Sequence, residues 1–86
     1  MTRTVSLVLL PPGTVARVVS IAGGYGKFRR LLEMGLSPGT LIRVVNNSAG
    51  PVIIEARGVT IALGRGLAKS LMVEVVGPEN PSSPGR

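Results

Sequence analysis

Neither cysteine nor histidine occurs in this 86-residue chain. Without cysteine there is no disulfide, no thiolate metal site and no cysteine nucleophile. Without histidine the commonest general base and the commonest transition-metal ligand are both missing. Aromatic residues are scarce too, with one tyrosine, Tyr25, and one phenylalanine, Phe28. Barrels that bind single strands stack bases on exposed rings, and two rings are a thin supply. The carboxylates are only Glu33, Glu55, Glu74 and Glu79, none close to another in sequence. No acid/base pair or hard-metal cluster is therefore expected. Gly23-Gly24-Tyr25-Gly26-Lys27 lacks the spacing of a phosphate loop, and Gly64-Arg65-Gly66 is a weak anion signal. Met34 and Met72, set among leucines and valines, read as core filler rather than thioether ligands. Catalysis, a cofactor and a metal site are accordingly not expected.

Long hydrophobic runs are also missing. The stretch from Val5 to Leu10 is interrupted by Ser6 and ended by Pro11-Pro12. It is too short to cross a membrane and has no small-residue cleavage site after it, so the expected compartment is the cytoplasm, with no direct membrane insertion.

The chain is rich in aliphatic residues, with 12 glycines and 7 prolines, a mixture suited to short strands joined by tight turns. Ten Lys and Arg against four acids give a formal charge of +6. Such a balance either keeps an apolar domain soluble or favours an acidic partner: nucleic acid, an anionic membrane surface or an acidic protein patch.

The organising stretch is residues 28–40. Phe28, Leu31 and Leu32, spaced i, i+3, i+4, predict the buried face of a short helix over residues 27–34. Gly35 is placed to end it in the left-handed conformation, which would bring Leu36 against Leu31. Pro38-Gly39 then turns the chain into a strand over 40–46. The helix carries Lys27, Arg29 and Arg30 in its early turns, where acids are favoured, with Glu33 able to pair with Arg29 or Arg30. That face is either merely solvated or kept electropositive for a partner.

Elsewhere, residues 1–4 read as a loose end, and Leu7, Leu9 and Leu10 as a short first strand or a lid. Residues 14–21 alternate as a strand, with Val15, Arg17, Val19 and Ile21 on one face and Ala16, Val18 and Ser20 on the other. An internal echo stands out. Pro12-Gly13-Thr14-Val15-Ala16-Arg17-Val18-Val19 returns as Pro38-Gly39-Thr40-Leu41-Ile42-Arg43-Val44-Val45, six of eight residues identical at a spacing of 26. Residues 52–56 and 59–63 read as strands about an Arg57-Gly58 hairpin turn, 64–70 as one helical turn, and 71–76 as a last strand closing the barrel, with Glu74 pointing outward. The expectation is a mainly β protein: a small antiparallel barrel of about five strands over residues 1–76, with one short α-helix, then a disordered Pro/Ser-rich tail over 77–86.

Arg30-Leu31-Leu32-Glu33-Met34-Gly35-Leu36 followed by Pro38-Gly39-Thr40 resembles the ferrous iron transport protein A (FeoA-like) family. The likeness extends through Leu10-Pro11-Pro12-Gly13, Val59 to Ala68 and Met72-Val73-Glu74-Val75. It implies a small SH3-like barrel without catalytic activity, serving bacterial ferrous iron uptake from the cytoplasm. It also implies contact with the cytoplasmic face of the ferrous iron transporter, a membrane protein with a GTP-hydrolysing domain, and so a peripheral place at the inner membrane. The same module ends metal-dependent repressors of the diphtheria-toxin-repressor type. The docking surface suggested by the cation cluster is Gly23, Gly24, Tyr25, Lys27, Arg29 and Arg30. A homo-oligomer through free strand edges and a small basic RNA-binding barrel are the competing readings.

Overall fold

The computed structural model describes residues 3–78. In chain order they form β1 (Thr4–Ser6), a 3-10 turn (Leu7–Leu9), β2 (Thr14–Ile21), α1 (Tyr25–Glu33), β3 (Leu41–Asn46), β4 (Val52–Ala56), β5 (Val59–Leu63), α2 (Arg65–Ser70) and β6 (Leu71–Pro78). All six strands make one antiparallel sheet in the order β1-β6-β2-β3-β4-β5.

The internal echo becomes the centre of this sheet. β2 and β3 pair so that Ala16 faces Ile42, its own counterpart in the repeat, with Val15 opposite Arg43 and Arg17 opposite Leu41. The pair is therefore related by a local twofold axis. Its bonds are reciprocal: the Gly13 amide donates to the Val44 carbonyl and the Gly39 amide to the Val18 carbonyl, each at 2.8 Å. Gly13 and Gly39 hold φ of 91° and 96°, which a side chain would oppose. Even the irregularities repeat. The ladder to the outer neighbour slips between Val18 and Ser20 in β2 and between Val44 and Asn46 in β3. Val19 and Val45 are thus matching bulge residues, both pushed outward.

Bulges bend the strand that carries them. Here they curl the sheet over one core, in which Leu7, Leu31, Leu36, Val44, Val52, Ile54, Leu63, Leu71 and Val73 are fully buried. They also explain one departure from the sequence pattern. Unbroken alternation places Ile21 with Val15 and Arg17, but the extra residue at Val19 resets the period and Ile21 packs against the core. The outward arginines of the two copies behave alike. Arg17 pairs with Glu74 of β6 (3.1 Å) and Arg43 with Glu55 of β4, so each clips a central strand to its outer neighbour.

Other expectations need correction. The sheet does not close into a barrel: β1 and β5 are its two edges. The first strand is Thr4–Ser6, which takes in Thr4 from the expected loose end, while Leu7 and Leu10 plug the core and Leu9 is exposed. α1 starts two residues early, at Tyr25. Of its three expected core residues only Leu31 is buried; Phe28 and Leu32 are 37% and 36% exposed. β6 runs on to Pro78, so the expected tail begins inside a strand, and the remainder, from Glu79, lies outside the described residues.

The helix stop is as expected. Gly35 has φ of 86°; its amide donates to the Leu32 carbonyl (2.9 Å) and the Leu36 amide to the Leu31 carbonyl (3.0 Å). Leu36 and Leu31 are both fully buried, which supplies the apolar contact this cap favours. The β4–β5 turn uses Arg57 and Gly58, both at positive φ, as a two-residue hairpin demands. From there Arg57 Nη2 reaches the Gly35 carbonyl (3.3 Å) and Thr40 Oγ1 (3.2 Å), tying the hairpin to the helix cap. Replacing Gly35 by Ala is expected to cost about 1 kcal/mol through the positive φ, and Leu36→Ala about 2–5 kcal/mol through the cavity it leaves. Urea unfolding followed by circular dichroism measures both.

Candidate functional site

α1 and α2 follow glycine-rich turns and lie beside each other at one end of the sheet. Gly23 and Gly24 lead into α1 with φ of 92° and 95°. Gly24 is the N-cap and offers no side-chain oxygen, and the first turn has no acid. Because α1 begins at Tyr25, only Lys27 of the three expected early cations stands in the first turn against the helix dipole, at a cost of about 0.3–1 kcal/mol, while Arg30 falls in the last turn, where a cation is favoured.

Successive residues step about 100° around a helix, so the four helical residues singled out by sequence, Tyr25, Lys27, Arg29 and Arg30, do not share one face. Three directions result. Leu31 points into the core. On one flank Tyr25 and Phe28 bring their rings within 6.4 Å, and with the half-exposed Leu32 they form an apolar stripe. Arg29 lies next to that stripe and is held by Glu33 (Nε to Oε2, 3.2 Å). On the other flank Lys27 and Arg30 face α2 across an open cleft of about 650 Å³, completed by Gly23, Gly26, Gly66 and Leu67. The structure thus gathers Gly23, Lys27 and Arg30 in the cleft and leaves Gly24, Tyr25 and Arg29 outside it.

The electrostatics of the two flanks differ. Arg17, Arg29 and Arg43 are paired with glutamates. Among the described residues, the Lys27 and Arg30 side chains have no hydrogen-bond or ion-pair partner. No carboxylate lines the cleft. Two uncompensated cations on one wall, above a low-dielectric floor, raise the local positive potential.

The glycines need separate accounts. A Cβ on Gly23 would sit 2.8 Å from Ser70 Oγ and 2.9 Å from Lys27 Cδ, so this glycine lets the lysine stem lie flat over the turn. Gly26 and Gly66 have no such reason. Each is the second residue of its helix, neither has positive φ, and a Cβ on either would meet nothing within 4 Å. Glycine in a helix interior costs about 0.5–1 kcal/mol relative to alanine, which is the upper bound at these first-turn positions.

Sequence reasoning missed what steadies α2. Asn47 donates Nδ2 to the Val8 and Leu10 carbonyls (2.9 and 2.7 Å) and accepts from Arg65 Nη1 at 3.0 Å. Arg65 also reaches the Ser48 and Gly50 carbonyls, so one asparagine–arginine pair ties the 3-10 turn, the β3–β4 loop and α2 together. In the sequence Asn47 is one of two adjacent asparagines in the turn-forming run Asn46-Asn47-Ser48-Ala49-Gly50-Pro51, which carries no address for its partners. A smaller hollow of about 110 Å³ under the Arg57 hairpin, lined by Met34, Ala56, Val59 and Ile61, holds no free charge because Arg57 is engaged with Gly35 and Thr40.

The FeoA domain family model matches residues 5–75, nearly the whole described chain. The chain belongs to the FeoA domain family. A FeoA relative from Methanocaldococcus jannaschii, named "Putative Fe(2+) transport protein A", is 47% identical over 57 residues, 66% of this chain and 70% of that protein. A crystal structure of an iron uptake regulatory protein (FeoA) superposes with a TM-score of 0.80 at 42% identity, over 86% of this chain and 99% of that one. The resemblance seen in the central stretch and the small SH3-like β fold it implied are thereby confirmed. A manganese-dependent transcriptional repressor matches at TM-score 0.80 and 20% identity, over 88% of this chain and 44% of the repressor, a likeness of fold. Within this FeoA domain, Gly23→Ala is expected to destabilise by about 1 kcal/mol or more, since it adds a clash to an unfavourable φ. Gly26→Ala is expected to stabilise, by up to about 0.5–1 kcal/mol. Opposite shifts of the urea midpoint would separate the two glycines.

Proposed function

We propose that this protein is a non-catalytic accessory of ferrous iron uptake that docks on the cytoplasmic part of the ferrous iron membrane transporter. Family membership and the name of the M. jannaschii relative support the iron uptake context. The observation that carries docking is the exposed surface of α1, with an uncovered apolar stripe of Tyr25, Phe28 and Leu32 on one flank, bordered by the Arg29–Glu33 pair, and the unneutralised Lys27 and Arg30 on the other. Large apolar side chains rimmed by charge are what a polar-rimmed protein interface uses.

The chain acts by contact rather than by carrying iron. It has no histidine or cysteine, and among the described residues no three carboxylates come together to hold a metal. Its docking residues are Gly23, Gly24, Tyr25, Lys27, Arg29 and Arg30. No helix among the described residues is long and apolar enough to cross a membrane, so the membrane is reached through the partner.

The test is capture of the transporter's cytoplasmic part from the same source, with and without GTP, by the wild-type chain and by a K27A/R29A/R30A variant checked by circular dichroism. Saturable capture weakened at least about tenfold in the folded variant is expected, the equivalent of about 1.4 kcal/mol. No capture by the wild type, with salt-sensitive retention of single-stranded RNA instead, would replace docking by RNA binding.

A further inference from the structure

The cleft between α1 and α2 has a chemistry of its own. Its wall carries the side chains of Lys27 and Arg30, both without a partner among the described residues. The rest of its lining is Leu67 and three glycines. Gly26 and Gly66 are poorer helix formers than alanine, and at both positions there is open space where a Cβ would stand. That open space is the cleft itself. Glycine is used where another chain must approach a backbone closely, and no segment of this protein does so here.

We infer that this cleft receives an acidic peptide segment of the docking partner, its carboxylates held by Lys27 and Arg30 and its backbone passing over Gly26 and Gly66. The inference rests on the docking reading and names the chemistry of the segment that docks. A guanidinium suits a carboxylate through paired N–H donors, and a lysine adds a point charge beside it. Leu67 gives the apolar stem of a glutamate a place to lie. Nucleic acid is a poorer fit, since the two aromatic rings stand on the opposite flank of α1 and no ring lines the cleft for a base to stack on.

The experiment needs no transporter. The isotope-labelled chain is titrated with a blocked tetraglutamate peptide and, separately, with its tetraglutamine counterpart, with inorganic phosphate and with a short single-stranded RNA. The amide resonances of Gly23, Gly26 and Gly66 report on the cleft. Saturable shifts at those glycines with tetraglutamate, about tenfold weaker with tetraglutamine, are expected. K27A/R30A should weaken binding by a similar factor. Gly66→Leu keeps both charges and favours the helix, so loss of binding in that folded variant would show that the cleft, and not the charge alone, receives the peptide. Equal response to the uncharged peptide would overturn the inference, as would binding retained in Gly66→Leu. Tighter saturation of the same glycines by phosphate or RNA than by the peptide would overturn it too. Peptide binding in a chain that fails to capture the transporter would uphold the cleft and remove the docking reading. Transporter capture with no peptide response would do the reverse.

Discussion

The pairing of β2 with β3 is the constraint on which the remaining structure depends. One turn-and-strand unit is used twice, and the two copies hydrogen-bond to each other about the Ala16–Ile42 pair. Each copy's glycine amide closes on the other copy's valine carbonyl, so neither turn can slip without breaking a bond in both. A one-residue slip would also turn the slipped strand's core residues outward, Ala16 and Val18 in β2 or Ile42 and Val44 in β3. Once that register holds, the matched bulges at Val19 and Val45 bend both flanks of the sheet, and Arg17 and Arg43 reach the glutamates of β6 and β4. α1 lies in the connection that returns the chain from one copy to the antiparallel other, so its position at the sheet's end follows from the same pairing.

Net charge says little until the cations are sorted by what they touch. Arg17, Arg29 and Arg43 answer to glutamates, while Arg57 and Arg65 work as ties between carbonyls and side chains of loops and caps. Those five serve the fold. Lys27 and Arg30, like Arg3 and Lys69, have no such partner among the described residues, and Lys27 and Arg30 stand together in one cleft. An excess of +6 that suggested a diffuse attraction for anything acidic therefore resolves, at this end of the sheet, into a local feature with a shape.

The sequence made visible whatever depends on local chemistry. Gly35 and Leu36 could be read as a cap because the cap is fixed by three neighbouring positions, and Arg57-Gly58 as a hairpin because the turn needs two positive φ values. The echo announced two equivalent strands but not that they pair with each other, since register is a tertiary fact. Phe28 and Leu32 share a helical stripe with Leu31, and periodicity alone cannot tell a stripe covered by the sheet from one left open. The same limit hid the parting of Arg29 from Lys27 and Arg30. Sequence proximity grouped them; the helical step of about 100° put them on different flanks. The Asn47–Arg65 tie joins residues 18 apart and had no local signature at all.

The two ends of α1 are built by opposite rules. Its C-terminal end has a glycine in the left-handed conformation, two cap hydrogen bonds, a fully buried pair of leucines and a guanidinium from the facing hairpin. Its N-terminal end has no capping side chain, no acid in the first turn, a cation opposing the dipole and a glycine inside the helix for which the fold shows no need. In a small domain, whose whole stability is about 5–15 kcal/mol, departures of about 0.5–1 kcal/mol each are not negligible. Random drift toward marginal stability would scatter such departures over the surface. Here Gly26, Gly66 and Lys27 meet at one cleft, although Gly66 belongs to another helix 40 residues further along. Local rules broken together at one place, against a fold that keeps them elsewhere, mark where the chain is shaped for something other than its own stability.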